Sequence, residues 1–223
     1  MTDISSIRFD NSGWTLGRSE INERIWVDDH GDELQLYFLD GRSELRVNTN
    51  DIDDVRGLYR SIAQSKSGGI VEVDLKQLAG AQAARTIMKF PQNENGVRYS
   101  GGLAFSFENF AFALSIVAQE HGITGMRETM LFDKLGCPSR RKWACDPYLS
   151  WYRKGLLRTL ADDEEWDQTF EDHPLSRLRT KLSRVESTVE IAKEALDSER
   201  YISASESLHS TKRLRDKLAS LFR

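Results

Sequence analysis

The 223-residue sequence predicts an α+β protein: an antiparallel sheet flanked by helices, followed by an α-helical C-terminal extension ending in a coiled-coil-like helical hairpin. Three observations predict it. Apolar residues alternate at period two in several stretches between residues 23 and 119, as half-buried strands require. Between them, Val55, Leu58, Tyr59 and Ile62 recur at helical spacing. From Leu175 to Leu196 the apolar positions step by three and four without a miss. These shifts of period divide the chain into a sandwich over 1–136, a helical connector with basic then acidic blocks over 137–172, and a hairpin over 173–223.

The elements follow in order. "ERIWVDD" and "ELQLYFLD" flank the turn residues His30-Gly31-Asp32, and Leu34, Leu36 and Phe38 share one face. The helix in "TNDIDDVRGLYRSIAQ" has Asn50 as its expected N-cap, acids in its first turn where the helix dipole favours them, and "SKSGG" as its stop. "IVEVDL", "AARTIMKF" and "VRYSGGLAFSF" read as three further strands. In the last, Val97, Tyr99, Leu103, Phe105 and Phe107 point one way, and the glycines admit close packing or a bulge. Glu108-Asn109 turns the chain into "FAFALSIVAQE". That strand is large on one face (Phe110, Phe112, Leu114, Ile116) and small on the other (Ala111, Ala113, Ser115), which suits a central strand under a closely packed helix. "EHGITGMRETMLFDKL" then makes a strand-turn-helix joint, with Thr124 as cap and Met126, Met130 and Leu131 as the apolar side.

The second half is read as helical. "DPYLSWYRKGLLRTLADDEEW" places Tyr152, Leu156 and Leu160 at spacing four. "HPLSRLRTKLSRVESTVEIAKEAL" carries the heptad seam Leu175, Leu178, Leu182, Val185 and Val189, and a last helix starts near Ser203 with Glu206 at capping-box spacing. A seam this narrow needs a partner, either that last helix or another chain.

Composition narrows the function classes. The net charge is −4, yet residues 137–160 hold six bases against one acid, and "ADDEEWDQTFED" holds seven acids and no base. Such blocks read as solvated faces that attract one another. "SRRKWACDPY" sets Arg140, Arg141 and Lys142 beside Trp143, a pattern that suits phosphate contact and base stacking, but the acidic whole (pI ≈ 5.7) and the acidic neighbour disfavour nucleic acid. No apolar run is long enough to span a bilayer and no signal peptide is evident, so a cytoplasmic protein is expected.

Motifs for chemistry are sparse. There is no nucleophile elbow, and "SKSGG" has neither phosphate-loop nor dinucleotide spacing. The four histidines stand apart, and Cys137 and Cys145 lie outside zinc-knuckle spacing. We expect no catalytic residue, no metal and no cofactor from sequence. The one grouping with pocket character is Tyr99, Arg127 and Glu128, the last two beside the glycines and His121 of the strand-turn-helix joint.

The order β-β-α-β-β-β-β-α, with Trp14 and the "WVDDHGDELQLYF" hairpin, resembles the PsbP-like α/β/α sandwich over about residues 10–136. That fold is shared by photosystem extrinsic subunits, a Ran-binding import factor and bacterial effector chaperones. The resemblance implies partner binding rather than catalysis. The expected function is a non-catalytic protein-binding or adaptor protein that binds a partner or itself through the C-terminal seam. A small enzyme or ligand-binding domain with a pocket on the sheet is the alternative, and nucleic-acid binding through 140–158 the third.

Overall fold

The computed structural model describes residues 2–40, 51–92 and 95–199. In chain order come β1 (Ile7–Arg8), β2 (Thr15–Ser19), β3 (Glu23–Val27), β4 (Glu33–Asp40) and α1 (Ile52–Ser65). The long strands β5 (Gly69–Leu78), β6 (Ala81–Pro91), β7 (Val97–Ser106) and β8 (Phe110–Gln119) follow, and α2 (Met126–Lys134) closes this half. Seven strands make one antiparallel sheet in the order β2-β3-β4-β8-β7-β6-β5. The α1 crossover therefore carries the chain from the middle of the sheet to its far edge.

The expected face segregation of β8 is what the sheet uses. Ala111 and Ala113 join Ala84 and Ala104 beneath Val55, Tyr59 and Ile62 of α1, and small side chains let that helix come close. Phe110, Phe112, Leu114 and Ile116 point to the opposite face with Leu36, Leu103 and Phe105. Asp51 caps α1, accepting from the backbone N–H of Asp53 (2.9 Å) and Asp54 (3.3 Å). The expected cap Asn50 lies outside the described residues.

The connector is not the helix its spacing predicts. It contains α3 (Arg140–Trp143), the two-residue strands β9 (Ala144–Cys145) and β10 (Arg158–Thr159), and single 3-10 turns at Leu160–Asp162 and Glu164–Trp166. Asp146 Oδ1 accepts from the N–H of both Tyr148 (2.9 Å) and Leu149 (2.8 Å), a turn that competes with a helical ladder. Gly155 has φ +74° and a Cβ there would meet the Gly68 carbonyl oxygen at 2.1 Å, so the chain here is pressed against β5 in a conformation no helix has.

The large apolar face is covered by α4 (Pro174–Thr188), followed by β11 (Glu190–Ile191), which pairs with β1, and α5 (Lys193–Leu196). Leu175, Leu178, Leu182, Val185 and Val189 are all buried in the same core as the β8 phenylalanines. The seam expected to meet a partner is thus spent on the chain's own sheet. Burial of each such side chain stabilises by about 1.5–3 kcal/mol. The heptad run is also shorter than its spacing suggests: Val189 is already extended and the chain turns into β11. Gly101 makes the docking possible, since a Cβ on it would lie 2.6 Å from Leu178 Cδ2. The second helix of the expected hairpin, from Ser203 on, lies outside the described residues.

Both flanks of α4 are tied down by charge. On one side Arg177 grips Asp32 bidentately (2.9 and 2.8 Å), Lys181 reaches Asp32 (2.5 Å) and Asp28, and Arg184 holds Asp10 (2.6 Å). On the other, Arg179 pairs with Glu72 and Asp167, and Glu186 receives Arg85 and Lys76, each at 2.6 Å.

Candidate functional site

Where β8 runs out, Glu120 turns inward and ties two elements together. Its Oε2 accepts from the N–H of Val97 (2.7 Å) at the start of β7, and its Oε1 accepts from Gly125 N–H (2.8 Å). Gly125, at φ +69°, begins α2 without a side-chain cap, so Thr124 does not serve the role expected of it. The helix is also rotated from its expected register. Arg127 and Leu131 face in, whereas Met126 and Met130 are about half exposed (50% and 53%).

Arg127 is among the most buried side chains of the molecule at 1% exposure, and every guanidinium nitrogen is used. Nε donates to Ala161 O (2.7 Å), Nη1 to Ser176 Oγ (2.8 Å), and Nη2 to Asp163 O (2.9 Å), while Asp167 Oδ1 lies 2.9 Å from Nη1. This guanidinium pins the acidic segment to the first turn of α4. Lys89, reaching from β6, forms a buried ion pair with Asp162 (2.5 Å). Burial alone would raise the Asp162 carboxyl; the Lys89 ammonium and hydrogen bonds from Thr159 hold it below its ordinary range instead. The acidic block is therefore only partly solvated: Glu164, Glu165, Glu171 and Asp172 are exposed, whereas its other acids are tied down. Asp162, Asp163 and Asp167 pair with Lys89, Arg158, Arg127 and Arg179, mostly residues distant in sequence.

Tyr99 stands at the centre, fully buried, its hydroxyl 3.2 Å from Asp162 Oδ1 and 3.4 Å from Glu128 Oε1. Burial, with the Asp162 and Glu128 carboxylates facing it, pushes the phenol far above its ordinary range. Glu128 is raised as well, by burial and by the charges of Asp162 and Glu120. His173 is the N-cap of α4. Its Nδ1 accepts from Leu175 N–H (3.2 Å), its ring meets Tyr99 edge-on at 5.5 Å, and Pro174 occupies the first helical position. Burial and the neighbouring Arg127 charge push its pKa down to about 3, so the ring is neutral at ordinary pH. With Nδ1 accepting, the ring proton sits on Nε2. That Nε2 lies 4.0 Å from Glu120 Oε1 and has no hydrogen-bond partner; neither does Glu128 Oε2.

Above this cluster opens a cleft of about 430 Å³, with Glu120, His121, Ile123, Met126, Phe170 and His173 among its walls. Ile123 is exposed at 79%. Glu171 and Asp172 also line it, so its polar rim carries acids, and its second arginine, Arg177, is already held by Asp32.

The structure brings together two of the three residues grouped from sequence, Tyr99 and Glu128, and places Arg127 on the same helix turn, directed toward α4. Arg140, Arg141 and Lys142 are exposed on α3, but Trp143 packs edge-on against Phe132 at 5.1 Å rather than standing open beside them. Glu120, Lys89, Asp162 and His173 were not singled out as a group. The one local signal among them was His173-Pro174 ahead of an apolar run, a helix-start pattern that names the histidine as a cap.

No protein-family model matches the chain, and no curated protein matches it in sequence. Among solved structures, the cyanobacterial PsbP (CyanoP) from Synechocystis sp. PCC 6803 is similar at 11% identity and a TM-score of 0.36, covering 58% of this chain and 85% of that one. A protein of Bacteroides thetaiotaomicron VPI-5482 is similar at 13% identity and a TM-score of 0.33, covering 52% of this chain. This chain spans 39% of that protein's length. No helix among the described residues is long and apolar enough to cross a membrane.

Proposed function

We propose that this protein is a non-catalytic binding domain whose cleft takes a small amphiphilic ligand carrying a cationic group. The observation that carries the reading is the cleft itself: drug-sized, walled by Ile123, Met126 and Phe170, and rimmed by Glu171 and Asp172 with its arginines already paired. The burial of Leu175 to Val189 supports a site at this end of the sheet over one on the α4 seam. A reducing cytoplasmic setting fits Cys137 and Cys145, which are both free.

The test is a ligand-observed NMR screen of amphiphilic amines against matched carboxylates. Amines should bind, and Glu171→Lys and Ile123→Ser should each weaken them about tenfold, a loss of ~1.4 kcal/mol. Carboxylates binding as well as amines, or hits indifferent to both substitutions, would overturn it.

One observation favours a protein partner as a second reading. All five residues of β2 are exposed, and among the described residues its outer edge has no neighbouring strand. Leu16 (53% exposed) and Ile21 (89%) flank that edge, which suits strand addition by an adaptor's client. Leu16→Lys with Ile21→Lys should abolish capture of such a partner; capture that survives them removes this reading.

A further inference from the structure

We propose that Glu120, Glu128 and His173 form a binding site for one divalent metal ion, Zn²⁺ or Mn²⁺, at the floor of the cleft. One donor atom from each of the three residues lies within 4.8 Å of the others. They arrive from three elements: the β8–α2 connection, the first turn of α2 and the N-cap of α4. Small side-chain adjustments bring such a set to bonding distance around a single ion.

A second observation is independent of that spacing. Three buried side-chain atoms among the described residues lack a hydrogen-bond partner: Arg56 Nε, Glu128 Oε2 and His173 Nε2. Two of the three belong to this cluster. Orphaned buried polar atoms are rare in folded proteins and point to something other than protein between them. The His173 side chain is only 8% exposed and the Glu128 Oε2 atom is itself buried, so bulk solvent satisfies neither orphaned atom.

The donor set selects the ion. Two carboxylate oxygens and one imidazole nitrogen suit zinc and the neighbouring first-row metals, with open positions for water. Calcium wants six to eight oxygens, which this floor lacks. The nearby cations do not oppose the ion with free charge, because Lys89 is neutralised by Asp162 and Arg127 by Asp167. Glu120 and His173 also line the cleft, which supplies the ion's route and its water ligands.

Binding has one structural consequence. A metal on His173 Nε2 takes the position of the ring proton, which must move to Nδ1. Nδ1 then no longer accepts from Leu175 N–H, and the N-cap bond at 3.2 Å is given up. Metal binding is therefore coupled to the first turn of α4.

The test is isothermal titration of the full chain, stripped with a chelator, with Zn²⁺ and with Mn²⁺. One ion should bind per chain. Glu128→Gln and His173→Asn should each weaken it at least tenfold, while His30→Ala leaves it unchanged. Asparagine keeps a good helix cap; if His173→Asn nevertheless fails to fold by circular dichroism, Glu128→Gln decides alone. The Leu175 amide resonance should shift on metal addition in the wild type. No binding to the wild type would mean that a buried water bridges the two orphaned atoms and would overturn the proposal. Binding that survives Glu128→Gln, or leaves the Leu175 amide in place, would equally overturn it. The amine screen is run on metal-free protein, so failure of either reading is seen apart from the other.

Discussion

Replacing Gly101 with alanine should expose how α4 is seated. The new methyl would stand 2.6 Å from Leu178 Cδ2 and 3.3 Å from both Leu178 Cγ and Ile87 Cγ1, well inside van der Waals contact. Neither neighbour is the free end of an exposed chain, since Leu178 and Ile87 are both fully buried. Relief requires α4 to lift or Leu178 to leave its rotamer, and overpacking of this kind costs about 1–3 kcal/mol. Leu178→Ala alone removes a buried side chain and leaves a cavity, a loss of about 2–5 kcal/mol. Together the two changes should compensate, because the alanine methyl at 101 fills part of the space that Leu178 vacates. Urea denaturation of the wild type, both single variants and the double variant closes the cycle. A favourable coupling of at least ~1 kcal/mol is expected for residues in contact. Strict additivity would refute the docking of α4 on β7 and return the Leu175-to-Val189 seam to the surface.

Further outcomes follow from the buried charges. Lys89→Met leaves Asp162 buried without its cation and should destabilise by about 3–5 kcal/mol in urea melts, with Lys89→Met/Asp162→Asn recovering part of the loss. Arg127→Lys keeps the charge but not the planar fork, so contacts to Ala161 O, Ser176 or Asp163 O are lost; about 1–3 kcal/mol should disappear from the same measurement. Asp32, Glu72, Asp146 and Asp162 are each held below the ordinary carboxylate range, because hydrogen bonds and cations outweigh a burial that alone would raise them. Groups depressed on folding add stability that is complete above their unfolded pKa of about 4 and is lost as pH falls through their folded values. The His173 ring, held at about 3 against an ordinary 6.5, adds a loss that begins earlier, so the urea midpoint should fall gently below about pH 6.5 and steeply below about 4; a midpoint that rises on acidification would contradict these pairings.

Much of the sheet was legible because alternation carries direct geometric meaning. Phe112 beside Ala113 already states that one face of β8 is thick and the other thin, and the fold obeys. The Leu175–Val185 stripe was equally legible as a helix face. A stripe, however, says only that something covers it, and neither period nor charge says whether a helix or a sheet does so. The 146–157 stretch misleads for a local reason. Tyr152 and Leu156 fall at helical spacing, but Asp146 turns the backbone at Tyr148 and Leu149, and Gly155 is pressed onto Gly68. The pocket grouping of Tyr99, Arg127 and Glu128 set a residue of β7 beside the joint that follows β8. Lys89, Asp162 and His173 meet those residues only through the pairing of β6 with β7 and the return of α4, so no local spacing announces them.

The position of α4 in the chain has a consequence for synthesis. Every strand of the seven-stranded sheet precedes residue 120, yet the face bearing Leu36, Phe105 and Phe112 stays uncovered until Leu175 to Val185 have left the ribosome. For that interval the nascent protein presents a broad greasy plane to the cell, and β1 waits for Glu190–Ile191 before it can pair. Folding is thus sealed from the late end of the chain, and translation halted before residue 173 should yield a sticky, chaperone-dependent product rather than a smaller stable domain.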